Sequence, residues 1–308
     1  MPSRRIFLAS LITSFATVST GGFSVSEGMP NARPGKDVFG GEDVFRGGDV
    51  FQRILVKATE RQWNTLPIGV LMGKIARELE GTPYVANTLE VSPEHESCVV
   101  DLTGLDCVTF FETTLGFARM LKKGGRTPAD LFKEVRFTRY RGGKLGDYSS
   151  RLHYTSDWFW DNQKKGVVTL LSQLPGAETF SQKVGFITSH PESYRQLVSD
   201  PHLVPKIKRQ EKIINSRNLE YIPMDKLASV EPFLKTGDIV GVCTNQTGLD
   251  ISHTGLILCD AQGVAHFMDA SSKKSKMMVT IEPGPISQTL NWSKNLTGAT
   301  FARPLEPI

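Results

Sequence analysis

The stretch "GLDCVTFFE", residues 104–112, places a cysteine between an aspartate and a run of apolar residues at helical spacing. Asp106 is a good N-cap residue, so the helix begins at Cys107. Residues 122–125, two lysines followed by two glycines, are typical of a helix end. The apolar stripe between these ends consists of Val108, Phe111, Leu115, Ala118 and Leu121. The pattern predicts a buried helix over residues 107–123 with the cysteine at its first position.

The position of Cys107 allows two interpretations. A cysteine outside a disulfide is most often a small apolar core residue. At a helix N-terminus, however, the backbone N–H groups and the partial positive charge favour a thiolate, which is the nucleophilic form. The charge of Asp106 acts in the opposite direction, so the helix end activates the thiol only in part. A nucleophile at Cys107 therefore requires a cationic partner, for which histidine is the usual residue.

His253 is the candidate partner among the six histidines. It lies within "ISHTGLILC", residues 251–259, the most strand-like apolar stretch of the chain. An ionisable group in such a strand is unfavourable unless it is paired. We interpret His253 as the base that activates Cys107, and the alternative is a core histidine hydrogen-bonded to a hydroxyl.

The third residue of the site is predicted from the hairpin that follows His253. The sequence "DAQG", residues 260–263, suits a type I turn with its glycine in the left-handed conformation. Such a turn pairs Asp260 with Val264, and the same register places Ser271 opposite His253.

Asp269 and His266 are the two candidates for this third residue. With the register above, Asp269 lies on the same face as His253, one diagonal step away, and His266 points to the other face. A two-residue turn would bring His266 onto the face of His253, but roughly 13 Å away along the strand. Both registers favour Asp269, and a carboxylate also stabilises an imidazolium better than a second histidine does. We therefore predict the catalytic triad Cys107, His253 and Asp269.

The rest of the chain predicts an α+β domain. Helical spacing occupies residues 51–64 and 66–81, "TPADLF" starts a further helix at Pro128, and residues 135–141 alternate like a strand. Short strands with tight connections follow at residues 237–243, 251–259, 263–270, 276–282 and 299–305. Helices first and strands later indicate an antiparallel C-terminal sheet, against which the nucleophile helix packs.

The N-terminal segment, residues 1–21, carries two arginines, then a short apolar stretch, then small residues. This order is typical of an export signal peptide, and the alternative is a buried N-terminal helix. The apolar stretch is too short to span a bilayer, and no later segment is apolar enough to do so. We therefore expect an exported protein, periplasmic or secreted, without a membrane span.

Residues 22–50 are rich in glycine and repeat Asp-Val-Phe three times, starting at residues 37, 43 and 49. Three short copies are too few for a solenoid. We expect an extended linker whose phenylalanines dock on a domain of residues 51–308, and the alternative is a tether that binds a partner.

Composition argues against two classes of function. The net charge of +4, from 36 Lys and Arg against 32 Asp and Glu, is too small to indicate nucleic-acid binding. The four cysteines contain no Cys-x-x-Cys, and the sequence has no His-Glu-x-x-His, so the signal for a zinc site is weak.

Two sets of motifs carry a resemblance to known proteins. The first set resembles the NlpC-type papain-like cysteine peptidases that cut bacterial cell-wall peptides, and it consists of "GTPY" (81–84), "LDCVTF" (105–110) and "SHTG" (252–255). The second resembles one branch, the N-acetylmuramoyl-L-alanine amidase-like family, and it consists of "YVANTLE" (84–90), "DCVTFFE" (106–112), "SRLHYTSDW" (150–158) and "DASS" (269–272). The similarity runs from about residue 75 to residue 305, most of the chain that would remain after export.

The resemblance implies a papain-like fold and hydrolysis of the amide between the lactyl group of N-acetylmuramic acid and L-alanine, in peptidoglycan or muropeptides. It implies no metal and no cofactor. The backbone N–H of Cys107 and the hydroxyl of Tyr84 would stabilise the oxyanion. Arg151 and His153 match a motif of this branch and are interpreted as substrate contacts, and the alternative for both is structural hydrogen bonding beneath the site.

Two positions depart from the family pattern: Asp269 stands where the family usually has histidine, and Asn87 where it tends to have glycine. Three other functions stay open at this point. A stem-peptide endopeptidase would use the same three catalytic residues, and an inactive protein would only bind the cell wall. A zinc amidase would use His153, His253 and Asp269.

Overall fold

A computed structural model of the chain describes the backbone of residues 37–38 and the whole of residues 43–308. The predicted signal peptide, residues 1–21, and most of the predicted linker lie outside the described residues and stay predictions. Between residues 43 and 308, no helix is both long and apolar enough to cross a bilayer.

Helices dominate the first half of the described chain and strands the second. The helices are α1 (Gly48–Glu60), α2 (Ile68–Glu78), α3 (Cys107–Lys122), α4 (Pro128–Arg139), α5 (Thr155–Lys164), α6 (Phe186–Ser189), α7 (Arg195–Ser199), α8 (Val204–Ile214), α9 (Leu227–Val230) and α10 (Ile286–Thr289). The strands are β1 (Asp37–Val38), β2 (Val44–Arg46), β3 (Val99–Asp101), β4 (Val168–Leu170), β5 (Glu178–Phe180), β6 (Leu219–Pro223), β7 (Ile239–Thr244), β8 (Ile251–Cys259), β9 (Ala265–Ser271), β10 (Met278–Ile281) and β11 (Leu296–Pro304).

The main sheet has eight strands in the order β10-β9-β8-β7-β11-β6-β5, with β4 paired to β11. The four strands β7 to β10 form the predicted antiparallel meander. The last strand, β11, returns across the sheet to pair with β7, so it lies inside the sheet. The result is the predicted α+β class with an antiparallel sheet.

Helix α3 is the centre of the core and packs against β8, β9 and the neighbouring helices α2 and α4. Every side chain from Thr109 to Leu121 is buried, not only the apolar stripe. The two charged residues in this span are paired: Glu112 bonds Arg139 at 2.6 Å and Arg119 bonds Glu134 at 2.8 Å. Because a buried charge is unfavourable without a partner, these pairs explain how α3 tolerates full burial.

The strand predicted at residues 135–141 is wrong, because most of this segment belongs to α4. Thr127 and Asp130 form a capping box at the start of α4, with Pro128 at its first position. Leu131 and Val135, four residues apart, then face Gly116 of α3. The helix cap therefore overrides the local alternation of apolar and polar residues.

The linker predicted over residues 22–50 is wrong at its C-terminal end. The second Asp-Val-Phe copy forms β2, which pairs with β3, and α1 begins at Gly48. Phe45 and Phe51 are buried and their rings meet edge to face, with centroids 5.8 Å apart. The phenylalanines of the second and third copies thus belong to the core, because burial of two aromatic side chains stabilises regular structure in this segment.

Candidate active site

The first turn of α3 is held by the residue that precedes the cysteine. The carboxylate of Asp106 accepts hydrogen bonds from the backbone N–H groups of Val108 and Thr109, at 3.0 and 2.7 Å. The Thr109 hydroxyl in turn accepts from the Asp106 N–H at 2.8 Å. This capping box fixes Cys107 as the first residue of the helix, as predicted. Burial raises the pKa of Asp106, although the capping hydrogen bonds act to lower it.

A hydrogen bond ties the start of α3 to the strand that carries His253. The hydroxyl of Thr254 donates to the backbone carbonyl of Cys107 at 2.8 Å, and both residues are buried. On the same strand, the His253 side chain hydrogen-bonds the side chain of Cys107. The structure therefore brings the predicted nucleophile and base together.

The hairpin after His253 adopts the predicted register. The N–H of Asp260 donates to the carbonyl of Val264 at 3.1 Å, Leu256 pairs with Met268, and the turn glycine has φ +82°. On the β7 side, the register shifts next to His253, which marks a β-bulge. Bulges bend a strand and re-aim its side chains, here at the end of β8 that carries His253.

Asp269 meets the imidazole as this register predicts. Its Oδ2 lies 2.6 Å from Nε2 of His253, and Asp269 is 2% exposed. His266, the other candidate, instead pairs with Asp260 at 3.1 Å, at the far end of the hairpin. Because Nε2 of His253 is engaged by the carboxylate, Nδ1 is the nitrogen that faces the Cys107 sulfur.

The contacts of His253 favour its charged form. Burial alone would lower its pKa, but the negative charge of the Cys107 thiolate and the hydrogen bonds to Asp269 and Cys107 outweigh burial. Together they raise the pKa of His253 from 6.5 to about 10. At neutral pH the imidazole beside Cys107 is therefore cationic. This arrangement can generate a nucleophilic thiolate and afterwards supply a proton to a leaving group.

Two aromatic rings enclose the imidazole, and the sequence analysis did not identify either. Trp292 meets His253 edge to face at 5.7 Å, and Phe267 meets it at 6.1 Å. Trp292 and Phe267 stack on each other at 6.2 Å, and the ammonium group of Lys273 lies 4.7 Å from the centre of the Trp292 ring. A tryptophan in the polar segment "NWSKN" was the only sequence signal for this contact.

Backbone hydrogen bonds hold Tyr84 close to Cys107, the predicted nucleophile. Its N–H donates to the carbonyl of Met277, which adds the segment "GTPY" to the edge of β10. On the other side, Leu105 donates to the carbonyl of Pro83 and accepts from the N–H of Val85, at 3.0 Å each. Tyr84 is thus fixed opposite a residue two positions before Cys107, and its predicted role as an oxyanion donor stays a prediction.

Two residues allow the segment around Tyr84 to lie close to the segment before α3. A Cβ on Gly104 would come within 2.6 Å of the Val85 side chain, so only glycine lets the two segments meet. Asn87, where the family tends to have glycine, has φ +60°. Asparagine is one of the few side chains that tolerate this left-handed conformation, so the departure preserves the shape of the loop.

Arg151 has structural partners on every side, which favours the structural alternative over a substrate contact. Its guanidinium bonds both carboxylate oxygens of Glu96, at 2.8 and 2.7 Å, and Glu90 at 2.7 Å. Glu96 also accepts from Tyr140 and Gln196, at 2.9 and 3.0 Å. These bonds use all three nitrogens of Arg151 and go to carboxylates of the protein, so the guanidinium is held in place by the protein itself. The arginine instead anchors the loop that begins at Tyr84.

His153 is held within the protein in the same way. Its Nε2 lies 2.8 Å from the carbonyl of Tyr148, and the two rings pack with centroids 4.4 Å apart. Burial and the charge of Arg151 lower the pKa of His153 to about 3. The imidazole is therefore neutral, with Nε2 donating its hydrogen to the carbonyl. A substrate contact of His153 stays a prediction.

The four cysteines, all within residues 43–308, form no disulfide with one another. Cys98 and Cys243 are buried, and burial raises the pKa of both thiols. In the part of the chain that the structure describes, no three His, Cys, Asp or Glu side chains are grouped so as to hold a metal ion. The predicted zinc ligands His153, His253 and Asp269 therefore do not form one cluster.

The site as a whole defines a candidate nucleophilic centre: a cysteine at a helix N-terminus, a histidine and an orienting carboxylate. Residues 74–290 match the model of the AmiA-like family, described as N-acetylmuramoyl-L-alanine amidase-like. The chain belongs to this family.

Several solved structures are similar to this chain. An N-acetylmuramoyl-L-alanine amidase from Bacteroides uniformis ATCC 8492 is 30% identical, with a TM-score of 0.69 over 77% of this chain and 98% of its own. A putative xylanase from Bacteroides fragilis is 32% identical, with a TM-score of 0.67 over 76% of this chain and 99% of its own. A Legionella pneumophila protein that is 19% identical, with a TM-score of 0.63 over 83% and 95%, shares the fold. No curated protein matches the chain significantly.

Proposed function

We propose that this protein is an exported cysteine amidase of the papain-like type, which hydrolyses the amide between N-acetylmuramic acid and L-alanine in peptidoglycan or its soluble fragments. The observation that supports this most directly is the hydrogen-bonded series Cys107, His253 and Asp269 at the N-terminus of α3. Membership of the amidase-like family supports the choice of bond.

In the proposed first step, the Cys107 thiolate attacks the lactyl carbonyl and forms a tetrahedral oxyanion. The helix N-terminus places partial positive charge at this point. Asp106 takes the N–H groups of Val108 and Thr109, so the N–H of Cys107 is the helix donor closest to the developing charge. The hydroxyl of Tyr84 is the second proposed donor.

In the second step, the C–N bond breaks and His253 gives its proton from Nδ1 to the leaving amine of L-alanine. The acyl group stays on the sulfur as a thioester. A water molecule then loses a proton to His253 and attacks the thioester, and the C–S bond breaks. This releases the lactyl carboxylic acid, which loses its proton to solvent, and restores the thiolate–imidazolium pair. Asp269 holds the ring by Nε2 throughout, so Nδ1 both delivers and accepts the proton.

One rival enzyme uses the same residues, and a second is suggested by a structural neighbour. A stem-peptide endopeptidase would attack a peptide carbonyl further along the chain by the same steps. A glycosidase, as the name of the Bacteroides fragilis neighbour suggests, would need two carboxyl groups that flank the scissile bond. The centre of this site holds a thiol and an imidazole. Both carboxylates beside them are engaged within the protein, since Asp269 bonds the imidazole and Asp106 caps α3, so we favour amide hydrolysis.

Digestion of purified muropeptides, followed by mass spectrometry of the products, tests the proposal. The amidase releases a peptide that begins with L-alanine and a sugar without peptide, whereas an endopeptidase leaves alanine on the sugar. Cys107→Ala should abolish turnover, and Cys259→Ala, which removes a partly buried thiol on the strand of His253, should not. Turnover that survives Cys107→Ala would refute the mechanism.

A further inference from the structure

The ring of Trp292 lies between Lys273 and the imidazole of His253. Lys273 lies two residues after the end of β9, the strand that carries Asp269, and its ammonium lies 4.7 Å from the centre of the Trp292 ring. The same Trp292 ring contacts His253. A cation over an indole face is held by attraction to the ring, so this lysine has a defined position beside the site.

The charges around Lys273 do not cancel. Its Nζ bonds Glu282 at 2.9 Å, and Lys276 bonds the other oxygen of the same carboxylate at 2.7 Å. Burial acts to raise the pKa of Glu282, but the two lysines outweigh it and lower this pKa, so the carboxylate is charged at neutral pH. One carboxylate between two ammonium groups leaves a net positive charge at the edge of the site.

Lys273 also keeps hydrogen-bonding capacity. An ammonium group has three N–H donors. Glu282 takes one and the face of Trp292 attracts another, while the side chain stays 27% exposed. A ligand carboxylate can accept the third in a charge-assisted hydrogen bond.

We propose that Lys273, held over Trp292, binds the α-carboxylate of the stem-peptide residue that follows L-alanine, and that the enzyme therefore prefers a free carboxylate there to its amide. This inference rests on the proposed function, because the substrate places this group. The Trp292 ring lies 5.7 Å from the His253 ring and 4.7 Å from Nζ of Lys273, so Nζ is no more than about 10 Å from the imidazole centre. From the leaving nitrogen of L-alanine, one Cα step of roughly 3.8 Å and two further bonds of roughly 1.5 Å lead to this carboxylate, and a hydrogen bond of roughly 2.8 Å completes a span of the same order.

The test compares two ligands that differ only in this group: N-acetylmuramoyl-L-alanyl-D-glutamate and its α-amide, N-acetylmuramoyl-L-alanyl-D-isoglutamine. Calorimetric Kd values are measured on the full chain carrying Cys107→Ala, which prevents turnover. We expect Lys273→Met to weaken binding of the free acid about tenfold and to leave binding of the α-amide unchanged. The α-amide also reports whether each variant is folded.

Lys276→Met is the matched control. Both lysine side chains are 27% exposed and bond Glu282, but it is Lys273 that lies over the Trp292 ring. A general effect of charge would change both variants equally, whereas a positioned contact changes Lys273→Met alone.

Three results would overturn the inference: an equal loss for both ligands, the same loss in Lys276→Met, or no loss in Lys273→Met. Turnover of the two ligands by the wild-type protein is measured separately. If discrimination in binding is found without turnover, the proposed function fails and the carboxylate site stands. If turnover is found without discrimination in binding, the carboxylate site fails and the proposed function stands.

Discussion

Replacement of Asp269 by asparagine tests how the carboxylate controls the base. Asp269→Asn keeps the shape of the side chain but removes the charge that lies 2.6 Å from Nε2 of His253. The rise in the pKa of His253 from 6.5 to about 10 corresponds to roughly 5 kcal/mol, shared mainly between the Cys107 thiolate and Asp269. A hydrogen bond to a charged group contributes roughly 1.5–3 kcal/mol of this. The substitution should therefore lower the pKa of His253 to roughly 8–9.

The sign of the effect on activity follows from the proposed role of His253 as proton donor. The active form needs a protonated imidazole, so kcat/KM falls as the pH rises through the pKa of His253. We expect this alkaline limb near pH 10 in the wild type and at a lower pH in Asp269→Asn, with kcat/KM at neutral pH reduced about tenfold or more.

The assay is a pH profile of muropeptide hydrolysis, accompanied by NMR titration of the His253 ring. Asp260→Asn is a matched control, because Asp260 pairs with His266 at the other end of the same hairpin. An alkaline limb that stays in place in Asp269→Asn, or that moves equally in Asp260→Asn, would refute the reasoning.

Three further predictions concern stability and the aromatic contact. Arg151→Met leaves the buried Glu96 without its cation, so urea unfolding should show a loss of about 3–5 kcal/mol; a loss below 1 kcal/mol would contradict the structural role. Trp292→Leu exposes the His253 hydrogen bond to water and should lower the pKa of His253 in an NMR titration. Trp160→Leu, which removes a ring of α5 that lies under Arg217, should not change this pKa. The pKa of His253 is raised in the folded protein, so His253 contributes its full stabilisation below pH 6.5. This stabilisation is lost as the pH rises through about 10. A free energy of unfolding that is independent of pH across this range would contradict the ion pair of His253.

Local rules of turns and caps predict the geometry of the triad from sequence. The capping signal at Asp106 sets the first residue of α3, and the turn at residues 260–263 sets the register that brings Asp269 to His253. Both signals act over a few residues, which is why they can be interpreted without knowledge of the fold. The pairing of α3 with β8 is different, because it depends on a contact between residues more than a hundred positions apart.

The rest of the site depends on long-range contacts without a local signal. Arg151 bonds Glu90 and Glu96, which lie 61 and 55 residues earlier in a polar loop. The motif around Arg151 indicates a polar role but not whether its partner is the substrate or the protein. Trp292 likewise lies in a short polar segment, and only the folded chain brings it onto His253. Alternation of apolar residues was an unreliable guide at residues 135–141, because a helix cap upstream decided the structure.

The most direct measurement is the mass of the covalent intermediate on the intact protein. The wild-type protein is mixed with a muropeptide, quenched in acid within one turnover and analysed by mass spectrometry, with Cys107→Ala as control. We predict an adduct on Cys107 with the mass of the N-acetylmuramoyl acyl group and no amino acid, together with release of a peptide that begins with L-alanine. An adduct that contains alanine would identify an endopeptidase, and products formed without any adduct on Cys107 would contradict the cysteine mechanism.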